Sequence, residues 1–142
     1  MDDTLNQILE KYLLPPRAKK HQKALAGNFY SRIELVYRLG LIHPVFHNEL
    51  HLIRDIRNEF AHKTLGVNFE TPKVVALTIK LVFPRAADLY ISTRAEQEPE
   101  IKSLANQNSR DRFILSGALL LHRLISLLEQ ISRVPISPLA LH

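Results

Sequence analysis

Eight prolines punctuate this chain, and between them apolar residues recur every three or four positions rather than every second one. Proline breaks a helix interior but suits a first helical turn. Pro15-Pro16, Pro44 and Pro72 therefore mark where helices stop or start, and Pro84 would kink or break the helix that contains it. The spacing predicts helices over about 4–14, 18–39, 44–63, 72–91 and 109–132. Thr4 is the expected cap of the first, whose stripe is Leu5, Ile8, Leu9, Tyr12 and Leu13. Leu25, Phe29, Ile33 and Val36 line the second, and Gly40 is its expected stop. Ser109 is the expected cap of the fifth. Val74-Val75, Leu77, Ile79 and Leu81-Val82-Phe83 have strand-like composition, but the Thr71-Pro72 start and the length favour a helix. "STRAEQEPE" (92–100) reads as a polar connection, and the tail from about 134, with Pro135 and Pro138, as extended or poorly ordered. The expected fold is all-α: residues 1–142 as one domain, a bundle of about five helices, mostly antiparallel. The fifth helix is apolar on much of its circumference and is expected at the centre.

Composition agrees with a folded domain, at 142 residues with 46% hydrophobic and 23% charged residues. The absence of cysteine excludes disulfides, thiolate metal sites and cysteine nucleophiles. The N-terminal "MDDTLNQILEK" is acidic and amphipathic, unlike a signal peptide. His122, Arg123 and Glu129 interrupt the apolar run 113–131, which argues against a membrane span. A soluble, cytoplasmic protein is the expectation. The net charge of +5 invites a nucleic-acid partner. Its one dense source is "RAKKHQK", where Arg17, Lys19, Lys20 and Lys23 form a candidate patch for sequence-blind binding. Aromatics make up only 7% with no tryptophan, so a base-stacking platform is poorly supplied.

The third helix carries the most chemistry. At about 100° per residue, Val45, Phe46, Leu52, Ile53, Ile56 and Phe60 share one face, and His47, His51, Arg54, Asn58 and His62 form an opposite polar stripe. Glu49 falls inside the apolar face, so it should be buried and need a partner. Arg57, two turns on, or a basic residue of another helix are the candidates. His47 and His51 have the i, i+4 spacing of two ligands on one metal, but Asn48 stands where an HExxH motif needs glutamate. They are read as solvated histidines, and no metal or cofactor is expected. Arg57 lies at the border of the apolar face, about 140° round the helix from His62. As structural residues, Arg57 and Asn58 would tie this helix to its neighbours, and His62 would favour a helix C-terminus. As a surface, Arg54, Arg57, Asn58, Glu59 and His62 would meet a partner.

"IELVYRLGLIHPVFHNEL" (33–50) superficially fits a helix-turn-helix with Gly40 in the turn. Glu49, however, occupies a position that motif needs apolar. Glu49, Asp55 and Glu59 would also carry carboxylates toward DNA phosphates on the long second helix. Direct DNA reading is not expected.

"RIELVYRLGLI" (32–42), "LIRDIRNEFAH" (52–62), "VNFETP" (67–72) and "DRFILS" (111–116) together resemble the mannitol operon repressor family over about two-thirds of the chain. The resemblance implies an all-helical negative regulator of transcription without a recognisable DNA-binding domain, acting through a protein partner. Arg57-Asn58-x-x-x-His62 alone is similar to the motif of HEPN domains, which include metal-independent ribonucleases. That likeness implies Arg57 stabilising phosphate charge, His62 as general acid or base and Asn58 positioning substrate, commonly across a dimer. The expected function is non-enzymatic transcriptional repression through protein contacts. A HEPN-like ribonuclease or RNA-binding module is the alternative. A homodimer would cover any apolar face that five short helices leave open.

Overall fold

A computed structural model describes residues 1–13, 27–62, 66–83 and 108–132. Those residues form an all-α, single-domain bundle of five helices: α1 (Asp2–Tyr12), α2 (Phe29–Arg38), α3 (Pro44–His62), α4 (Pro72–Ile79) and α5 (Ser109–Gln130). The basic patch of Arg17, Lys19, Lys20 and Lys23, the 92–100 connection and the tail lie outside the described residues.

Local chemistry sets the helix ends. α1 starts at Asp2, so Thr4 sits inside it rather than capping it, and Asp2 and Asp3 bring negative charge to the first turn. α2 does not run from 18. Gly27 and Asn28 are non-helical, and the Asn28 side chain accepts from the Ser31 N–H at 3.0 Å, which fixes the start at Phe29. Its end follows expectation. Gly40 has φ +71°, the Gly40 N–H donates to the Tyr37 carbonyl and the Leu41 N–H to the Val36 carbonyl, closing a Schellman motif. Pro72 opens α4 as expected, but α4 stops at Ile79, well short of 91. α5 is capped by Asn108, whose side chain accepts from the Asp111 N–H at 3.0 Å; Ser109 is its first helical residue.

α1 packs on α2 and α5, α3 on α2, α4 and α5, and α4 on α5. The core is built from Leu5, Ile8 and Leu9 of α1, Ile33 and Val36 of α2, Leu50, Ile53 and Ile56 of α3, Val74 of α4, Leu81, and Leu120 and Leu124 of α5. Burying such a side chain contributes about 1.5–3 kcal/mol. Polar ties brace the periphery. Arg32 pairs with Asp2, and the Lys11 ammonium donates to the Leu128 carbonyl at 2.6 Å, near the end of α5.

α5 meets three of the other four helices, as α3 does, but they do not enclose it. Ser116, Leu120 and Leu124 face the core, while Ile114, Leu119, Leu121 and Ile125 are 53%, 36%, 36% and 44% exposed. α1, α3 and α4 all pack on α5, yet they cover only its Ser116–Leu120–Leu124 side. By length and composition α5 would also suffice to cross a membrane. What sets it apart is an apolar stripe directed away from its own core.

Candidate functional site

The Gly40 turn folds α3 back beside α2 and sets the polar stripe of α3 against a residue that spacing alone does not reveal, Glu34. Glu34 Oε1 lies 2.7 Å from His47 Nε2 and 2.9 Å from His51 Nε2, and the two Nε2 atoms are 3.2 Å apart. The two histidines are one helical turn apart, so both rings reach the same oxygen. Their side chains are only 17% and 19% exposed, and that of Glu34 29%. They are half-buried partners of a carboxylate, not solvated residues.

Aromatic rings wall the cluster. Tyr37 lies against His47 with centroids 4.2 Å apart, and Tyr30 against His51 at 5.1 Å. The Arg54 guanidinium sits 4.8 Å from the Tyr30 ring centroid, a cation–π contact, and its Nη2 donates to Asp55 Oδ1 at 2.8 Å. Arg54 Nη1 lies 3.3 Å from His51 Nδ1. A guanidinium only donates, so His51 Nδ1 is the acceptor. The neutral ring then carries its proton on Nε2 and donates it to Glu34. The hydrogen bonds from His47, then His51, hold the Glu34 carboxyl below its ordinary value near 4.5.

Glu49 is buried, as its place on the apolar face implied, but among the described residues its partners are not basic. Oε1 accepts from the Val82 N–H at 2.5 Å and Oε2 from the Ser116 hydroxyl at 3.0 Å. It joins α3 to the segment after α4 and to α5. Arg57 is exposed and does not pair with it.

The other motif residues disperse. Arg57 and His62 are both solvent-exposed and Asn58 is half-buried, so Arg57 does not serve as a core-edge tie. Glu59 pairs with Lys73 at the start of α4. Of the predicted site residues, Arg54 is brought into the Glu34–His47–His51 cluster, while Arg57 and His62 stand away at the surface. Sequence reasoning missed Glu34, Tyr30 and Ser116. The only advance signal was the His47/His51 spacing, which asks for a third group on a facing helix without saying which.

No protein-family model, curated protein or solved structure matches the chain.

Proposed function

We propose that this protein is a non-enzymatic, repressor-like regulator of transcription that acts by docking a helix of a protein partner rather than by reading DNA. The observation that carries the reading is the outward stripe of α5. Ile114, Ala118, Leu121 and Ile125 are all exposed and follow one another at intervals of four, three and four residues. That is the spacing of a coiled-coil seam, which takes a second helix rather than a small ligand or a nucleic acid. The resemblance of residues 32–42, 52–62, 67–72 and 111–116 to the mannitol operon repressor family supports a regulatory role. The helix-turn-helix alternative is weakened further because Glu49 is spent on a buried tie and Arg54 on Tyr30 and Asp55.

The test pairs two measurements. Purified protein is offered genomic DNA fragments at physiological salt. Transcript profiles are then compared between cells expressing the wild type and a Leu121→Glu/Ile125→Glu double variant of unchanged helicity. The expected outcome is no selected DNA sequence, and loss of the transcriptional effect in the variant. Selection of a specific fragment, an unchanged effect in the variant, or recovery of the protein only from membranes with detergent would each overturn the reading.

The exposure of Arg57 and His62 favours one second reading, a HEPN-like RNA site completed by another copy. It requires RNA cleavage that disappears in a folded His62→Ala variant. Intact RNA after prolonged incubation with wild-type protein removes it.

A further inference from the structure

We propose that Glu34, His47 and His51 form a binding site for a single zinc-class divalent cation between α2 and α3, independent of the partner-docking stripe on α5.

Their three ligand atoms all lie within 4.8 Å of one another and approach as closely as 2.7, 2.9 and 3.2 Å. A tetrahedral ion bound at about 2.0–2.2 Å needs ligand edges of about 3.3–3.5 Å. The cluster meets that requirement after side-chain rotations that widen it by tenths of an ångström, with no backbone change. Two imidazole nitrogens and one carboxylate oxygen suit zinc, cobalt or nickel rather than magnesium or calcium, which prefer all-oxygen shells. Residual exposure of all three side chains leaves room for ion entry and for water as a fourth ligand. Without an ion the arrangement is awkward: two Nε2–H groups would both donate to Glu34 Oε1 while their nitrogens stand 3.2 Å apart. A cation turns those two donors into lone-pair ligands and retains the carboxylate.

Arg54 gives the site a built-in antagonist. Coordination through His51 Nε2 moves the ring proton to Nδ1, which now faces Arg54 Nη1 at 3.3 Å, donor against donor. Arg54 must then turn away, onto Asp55, which it already contacts. A glutamine at position 54 would instead offer Nδ1–H a carbonyl acceptor.

The experiment is calorimetric titration of untagged, chelator-treated full-length protein with zinc chloride. The expected result is saturable binding at one ion per chain. His47→Ala and His51→Ala should each weaken it at least about 10-fold, the scale on which even outer-shell partners act, and Arg54→Gln should tighten it about 10-fold. His122→Ala, on α5, should leave it unchanged. No saturable binding, or affinity that survives both histidine substitutions, overturns the proposal. Should the alanine variants fail to fold, cobalt chloride with the wild type decides. Intense visible absorption of a four-coordinate nitrogen–oxygen site supports the site, and the pale spectrum of a six-coordinate ion overturns it. These readouts involve no transcription, so the cation site and the regulatory reading stand or fall separately.

Discussion

Ser116→Ala should destabilise the wild type and be almost harmless once Glu49 is gone. Ser116 is fully buried, and its hydroxyl donates to Glu49 Oε2 at 3.0 Å, while Glu49 itself is 1% exposed. Removing the serine hydroxyl leaves Oε2 buried without that donor, and an unsatisfied buried acceptor costs about 1–3 kcal/mol. In a Glu49→Ala background there is no acceptor to orphan. There Ser116→Ala removes only a hydroxyl that can return to its own helix, and alanine is the better helix former. The serine substitution should therefore cost about 2 kcal/mol in the first background and close to zero in the second, a coupling of about 2 kcal/mol. Glu49→Ala alone loses two hydrogen bonds, one methylene and the volume of the carboxylate. Val82 is an exposed residue, so water can reach its N–H once the carboxylate is gone, and about 2–4 kcal/mol is expected. A domain with about 5–15 kcal/mol of stability survives each single change. Urea unfolding of the four proteins, followed by circular dichroism, measures the cycle. An equal cost of Ser116→Ala in both backgrounds would refute the bond between α3 and α5 as a stability determinant.

Three further outcomes follow from individual sites. Leu120→Ala, at a fully buried position, should cost about 2–5 kcal/mol, whereas Leu121→Ala, next to it but 36% exposed, should cost much less; equal losses in urea unfolding would contradict the outward placement of the α5 stripe. Asn108→Ala should remove the α5 cap at a cost of about 1 kcal/mol while Ser109→Ala is milder, and the reverse order would restore serine as the cap. The histidines depress the Glu34 carboxyl, so its contribution is present above the ordinary value near 4.5 and disappears as pH falls through the lower folded value. Stability curves of wild type and Glu34→Gln should accordingly differ above that range and converge in acid, and a constant difference down to low pH would argue against the pairing.

The sequence by itself determined the helices and their inward faces. Periodicity is a local property, so Leu5, Ile8 and Leu9 or Ile53 and Ile56 declare their burial without knowledge of what covers them. Glycine at position 40 likewise announces a left-handed stop, and Glu49 betrays its burial by its angle on the wheel alone. Helix starts were less legible: Asn108 caps α5 through a side-chain bond that its neighbour Ser109 could equally well have made, Asn28 caps α2 inside a stretch whose periodicity continues upstream, and α1 begins at Asp2 with no side-chain cap although Thr4 offered one. Only tertiary structure decided the partners. Glu49 meets Val82 and Ser116, 33 and 67 positions away, where a wheel suggests only a missing cation. Glu34 joins His47 and His51 because a Schellman turn returns α3 along α2 at one particular register. The apolar girth of α5 predicts a central helix, yet its neighbours enclose one stripe and leave Ile114, Leu121 and Ile125 outside. Hydrophobicity records that a surface tends to be covered, but which helix covers it depends on packing between segments distant in the chain.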